Sequence, residues 1–231
     1  MINIGSTELY INVPSLPLED FKVYSTCLFD EWEEHVRETL NLPDYYLALD
    51  VQEGSIRAKS RILVGSTALC GFLASYGAIS SGVKNLYEDV AAIGNYLSVI
   101  AAAPLSNFSG KPRVRSRGEA LSKLNALFVN VSNGSISAEE AMLQAEKILG
   151  VNADDSPDFT RALKNSFNNT PSQILLPLEN GELKRLFDDH DDRRKPSPSR
   201  KRVPAIRSEQ YRVEIWRESR SSQRNVVIKK L

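Results

Sequence analysis

The residue types that carry most metal and nucleophile chemistry are scarce in this chain. Its 231 residues include two histidines, two cysteines, two methionines and two tryptophans. Cys27 and Cys70 are too few for a disulfide framework and lack metal-ligand spacing. Both are expected to be small buried hydrophobes of a reducing compartment. His35 has no second His or Cys three or four positions away, and Glu31 and Glu38 at that spacing are expected to face water. Such a histidine reads as packed or solvated. His190 lies in Asp188-Asp-His-Asp-Asp192, which has neither the glycine nor the closing glutamate of a calcium loop and abuts a basic run. A self-neutralising linker is the better reading. Phosphate-cradling glycine loops, dinucleotide fingerprints and nucleophile–base patterns are missing too. No basic stretch followed by an apolar run opens the chain, so the expected location is the cytoplasm or the cytoplasmic face of a membrane rather than the exterior. The sequence therefore offers no catalytic, cofactor-binding or metal-binding residue, and it reads as non-enzymatic.

The charge balance is a formal zero that hides a division. Residues 1–192 hold sixteen Lys/Arg against twenty-six Asp/Glu, and residues 193–231 hold thirteen against three. An acidic body carries a basic tail.

What dominates the pattern is a heptad seam from Ile62 to Ala103. One register holds Ile62, Leu69, Tyr76, Val83, Val90 and Leu97; the other holds Gly65, Phe72, Ile79, Leu86, Ile93 and Ile100. Such a run predicts a long helix with coiled-coil-like packing, over 62–103. Thr67, Gly71 and Ser75, with Ala74, Ala78 and Gly82, make its other faces small enough for a second backbone to approach. The glycines weaken the helix, so a break into a helical hairpin is expected near Ser80-Ser81-Gly82. Residues 62–83 carry no charge, which is long enough for a membrane span. Their many Gly, Ser, Thr and Tyr residues, and a seam that runs on past Lys84, Glu88 and Asp89, favour a packed or oligomeric helix.

Around this seam the pattern predicts an α+β protein. Thr7 to Val13 alternates as a strand, a helix with Leu18, Phe21, Tyr24, Cys27, Leu28, Trp32, His35 and Val36 inward follows, and 44–64 reads as a hairpin turning at Glu53-Gly54. These make a β-α-β-β unit over 1–64. Pro104 to Gly118 is expected to be a loop with a basic run from Lys111 to Arg117. Three helices over 116–169 form a small module, the second opened by a Ser137–Glu140 capping box. Composition then shifts to a flexible linker over 170–208, with a short apolar peptide at Ile174–Leu178. Tyr211–Trp216 and Val226–Ile228 alternate as a C-terminal hairpin over 209–231, which needs another sheet to pair with.

Three functions remain open at this level. One is a protein-interaction or adaptor role with self-association through Leu69, Phe72, Tyr76, Ile79, Val83, Leu86, Val90, Ile93, Leu97 and Ile100. A second is membrane association anchored by 62–83. The third is weak, sequence-independent binding of nucleic acid or anionic lipid. Its expected anion-binding residues are Arg193, Arg194, Lys195, Arg200, Lys201 and Arg202, with aromatics of the terminal hairpin available to stack on a base and the Lys111–Arg117 run as a further suspect.

Overall fold

A six-stranded antiparallel sheet in the order β4-β1-β3-β2-β5-β6 is the frame on which everything else is placed. The computed structural model describes residues 1–76, 78–105, 112–150, 157–170 and 210–231. The strands are β1 (Ile2–Ile11), β2 (Tyr46–Gln52), β3 (Ile56–Val64), β4 (Arg113–Arg117), β5 (Tyr211–Arg217) and β6 (Arg224–Lys230). The helices are α1 (Leu18–Thr39), α2 (Ser66–Ala74), α3 (Ile79–Ala102), α4 (Glu119–Ser132), α5 (Ala138–Leu149) and α6 (Pro157–Asn168).

Each central strand alternates, so one face is apolar and the other polar. Leu9 and Ile11 of β1, Leu47, Leu49 and Val51 of β2, Ile56, Ala58, Ile62 and Val64 of β3, and Val213 and Ile215 of β5 are buried on the first face. Helices α1, α3 and α4 cover that face, and α2, α5 and α6 extend the same hydrophobic cluster behind them. On the opposite face Arg57, Lys59 and Arg61 of β3 and Arg113, Arg115 and Arg117 of β4 are exposed, while Ser6 of β1 is buried against Glu119 at the start of α4. β3 lies between β1 and β2 and is antiparallel to both, so β1-α1-β2 is a crossover whose two parallel strands are split by the returning hairpin strand.

The terminal hairpin finds its sheet within its own chain. β5 pairs with β2 from Leu47↔Arg217 to Gln52↔Arg212. Arginines of the hairpin reach acids of the body: Arg212 to Asp50, Arg217 to Glu33 at 2.7 Å, and Arg224 to Asp30. The charge division between body and tail is thus partly closed by contact.

Several expectations need correction. The 62–103 seam is not one helix: Ile62 and Val64 belong to β3, and the helical part divides into α2 and α3. α2 ends at Ala74 and α3 begins at Ile79, ahead of Ser80-Ser81-Gly82, and the extended Ala78 is the N-cap of the new helix. Gly82 sits inside α3, where a Cβ would meet the Tyr76 ring at 3.0 Å. The expected loop before Gly118 contains β4, whose Arg113, Arg115 and Arg117 alternate with Val114 and Ser116 on the edge of β1. β1 begins at Ile2, five residues earlier than its clean alternation suggests. Cys70 is buried as expected, but Cys27 is exposed. The three helices of 116–169 share the core cluster of the sheet and α1, and α4 packs directly on β1 and α3. The Ser137 cap is present, its hydroxyl accepting from the Glu140 N–H at 3.1 Å.

Candidate functional site

The open sheet face is where the exposed charge is organised. Strand register lines its outward side chains into three rows that run across the strands. One row reads Arg117, Ser6, Arg61, Ala48, Trp216, Asn225. The middle row reads Arg115, Glu8, Lys59, Asp50, Glu214, Val227. The third reads Arg113, Tyr10, Arg57, Gln52, Arg212, Lys229. Eight of these side chains are cationic and three are carboxylates, and all three carboxylates are in the middle row.

Each carboxylate is held by a cation. Glu8 accepts from Lys59 at 2.8 Å, and that bond, with Arg117 and Arg115 nearby, holds its carboxyl below the usual range despite some desolvation. Asp50 takes Arg212, whose Nε donates at 2.8 Å and whose guanidinium is held above its ordinary value by this partner. Glu214 accepts from Lys229 at 2.7 Å, which lowers its carboxyl too. The Arg57, Arg61, Arg113, Arg115 and Arg117 side chains have no carboxylate within ion-pair distance among the described residues. All five are exposed.

Three aromatic rings stand among these cations: Tyr10, Tyr46 and Trp216, each half-buried. Burial raises the Tyr46 phenol pKa against the pull of Arg61. The Arg57 guanidinium lies over the Tyr10 ring, 5.7 Å from its centroid, a cation–π geometry. Tyr10, Arg57, Arg113, Arg115, Arg212 and Gln52 help line a shallow concavity of about 470 Å³ on this face.

The seam residues lie elsewhere. Leu69, Ile79, Val83, Leu86, Val90, Ile93 and Leu97 are buried inside this chain's own core, and Phe72 and Ile100 pack against that core partly buried. Tyr76 is half-buried at the end of α2, edge-on to Phe72. The sheet and neighbouring helices of the same chain thus meet the apolar seam. Arg193, Arg194, Lys195, Arg200, Lys201 and Arg202, the 188–192 cluster and the Ile174–Leu178 peptide lie outside the described residues. His35 stacks on Tyr96 with ring centroids 3.9 Å apart. Among the described residues, no group of three or more His, Cys, Asp or Glu could hold a metal ion, and no helix is long and apolar enough to cross a membrane.

Sequence pattern singles out Lys111–Arg117 and the terminal hairpin but misses Arg57, Arg61 and Tyr10. The signal is present: Ile56–Ile62 alternates apolar with Arg57, Lys59 and Arg61, which puts three cations on one face of a single strand. Comparison with protein-family models, with curated proteins and with solved structures finds no match.

Proposed function

We propose that this protein binds nucleic acid through the open face of its sheet. The carrying observation is the separation of charge on that face. The carboxylates of the three rows are confined to the middle one and each is held by a cation, while Arg57 and Arg113 of one outer row and Arg61 and Arg117 of the other have no carboxylate within ion-pair distance among the described residues; Arg212 and Lys229 are engaged by Asp50 and Glu214, and Glu119 accepts from Ser6 at 2.8 Å.

A surface of this kind attracts a phosphate backbone by releasing its counterions, without reading sequence. Arginine suits the task because its planar guanidinium offers paired donors to phosphate oxygens. An anionic membrane would also be attracted, but Val227 is the one exposed large aliphatic side chain in the three rows, little to enter the interface, and the rings are seated among the cations.

The test is fluorescence anisotropy of a labelled oligonucleotide with the full-length protein over a range of salt, beside the Arg113→Gln/Arg115→Gln/Arg117→Gln variant. These residues are exposed on the edge strand, so the fold should be kept. Binding is expected at low salt, with log affinity falling linearly as log salt rises. The variant should bind more weakly and show a slope shallower by about 0.7 for each single-strand phosphate that it no longer neutralises. No binding at low salt, an unchanged slope in the variant, or binding to anionic vesicles but not to nucleic acid would each overturn the reading.

A further inference from the structure

We infer that the ligand is a single strand, laid along the Arg113–Tyr10–Arg57–Arg212–Lys229 row with one base stacked on Tyr10; this rests on the nucleic-acid reading above. The argument begins with shape. A duplex is read in its grooves by an element narrow enough to enter, a helix or a two-stranded ribbon. A six-stranded sheet presents a broad face that no groove admits, so only its edges could reach paired bases. Bases that contact the middle of this face must be unpaired.

Within the face, the third row is the one built for such a strand. Five inter-strand steps separate Arg113 on β4 from Lys229 on β6, about 24 Å, room for about four extended nucleotides. No carboxylate stands in the row. Arg113, Arg57, Arg212 and Lys229 recur along it, as phosphates recur along a backbone.

Tyr10 is the ring placed to take a base. It stands on β1 between Arg113 of β4 and Arg57 of β3. The Arg57 guanidinium occupies one side of the ring. Tyr10, Arg57, Arg113 and Arg115 all line the same concavity, whose wall also includes Glu8 and Asp50. A base entering there stacks on the phenol ring while its phosphates meet those arginines. Trp216 lies in the opposite outer row, where Ala48 separates it from Arg61. It has no cation across the ladder to either side, so Tyr10 is the better-supplied platform.

The experiment compares Tyr10→Thr and Tyr10→Phe in the full chain, with a labelled oligothymidine, the same strand carrying abasic sites, and a blunt duplex of equal length. Thr keeps a β-branched residue on the central strand, and circular dichroism and the melting curve verify the fold. Wild type should prefer the single strand over the duplex by about tenfold or more. Tyr10→Thr should lose about tenfold in single-strand affinity with the salt slope unchanged, because stacking releases no counterions, and Tyr10→Phe should bind like wild type. The abasic strand should bind wild type about as weakly as the normal strand binds Tyr10→Thr. Should Thr fail to fold, the abasic comparison on wild type decides alone. Equal affinity for duplex, for abasic strand or for Tyr10→Thr overturns the stacking site while leaving the electrostatic reading intact. Absence of any binding at low salt removes that reading instead, and the two failures are told apart by this first measurement.

Discussion

Replacing Arg217 with Met tests how the terminal hairpin is fastened to the body. Glu33 on α1 is 5% exposed, a charged group almost out of water. Its Oε1 lies 2.7 Å from Arg217 Nε of β5, an ion-pair contact without hydrogen-bond geometry, and accepts from Arg37 at 3.3 Å from the next helical turn. The two partners are unequal: the Arg217 side chain is 20% exposed and that of Arg37 is 51%. Arg37 is therefore screened by solvent and holds Glu33 weakly, while Arg217 carries the interaction.

Removing one partner of a buried pair costs about 3–5 kcal/mol, because a desolvated charge is left behind. Partial exposure of Arg217 and the persistence of Arg37 reduce this to about 2–3 kcal/mol. For a chain of this size, that lowers the melting temperature by about 5–10 °C. Urea unfolding followed by tryptophan fluorescence measures it, with Trp32 buried on α1 and Trp216 on β5 reporting from both sides of the contact. The double variant Arg217→Met/Glu33→Met has no orphaned charge and should recover most of the loss, since an apolar pair of similar volume is near neutral or stabilising. A single variant within about 0.5 kcal/mol of wild type, or a double variant no more stable than the single, would refute the account.

Two glycines should respond to the same substitution with opposite sign. Gly94 on α3 lies against β1 and β4, where a methyl would overlap Thr7 Oγ1 and come within 3.0 Å of Ser116 Oγ; Gly94→Ala should destabilise by about 1 kcal/mol net, overpacking outweighing the helix-propensity gain. Gly71 in α2 has open space where its Cβ would be, so Gly71→Ala should stabilise by about 0.5–1 kcal/mol, and urea midpoints of the two variants check both signs. The two thiols should separate cleanly in a reactivity assay. Cys27 is exposed and should react with a disulfide reagent in the native protein; Cys70 is buried, with its thiol pushed up to about 11 by desolvation, and should react only on unfolding.

Local pattern was legible wherever a single element determines it. The alternation of β2 and β3, the Ser137 cap and the apolar stripes of α4 to α6 are properties of neighbouring residues, and the sequence displays them. The seam misled because period alone does not say what fills it. Val83, Leu86, Val90, Ile93 and Leu97 recur as in a coiled coil, yet a sheet of the same chain receives them, and a helix lying on a sheet needs the same apolar stripe. Gly94 was the overlooked clue, since its missing side chain lets α3 approach β1 and β4. β4 was hidden by its composition. Three arginines in five residues read as a solvated loop, and only pairing with β1 from Ser6↔Arg117 to Tyr10↔Arg113 makes them a strand. The candidate site was hidden for a related reason: its rows draw on β1, β3, β4 and β5, and register between distant segments is a tertiary fact.

The charge pattern of the open face is more than the fold requires. Opposite charges directly across a ladder stabilise a sheet and like charges oppose it. The middle row satisfies that rule from Arg115 through Glu8 and Lys59 to Asp50 but sets Asp50 opposite Glu214, and these two acids are neutralised by Arg212 and Lys229 of the third row. The outer rows do not. Arg113 and Arg57 flank Tyr10, and Arg117 and Arg61 flank Ser6, each pair two strand spacings or about 10 Å apart. At that distance in water two like charges repel by about 0.4 kcal/mol before salt screening. Apart from the Arg57–Tyr10 cation–π contact, neither arrangement adds a pairing that holds the sheet together, and Gln or Thr would fill the other exposed strand positions without repulsion. A fold that pairs every acid of these rows while leaving Arg57, Arg61, Arg113 and Arg117 without a carboxylate gains no ion-pair stability from those four arginines. On the proposed reading, a polyanion lying across them would relieve that repulsion, and the same small penalty in the free protein would add to the attraction.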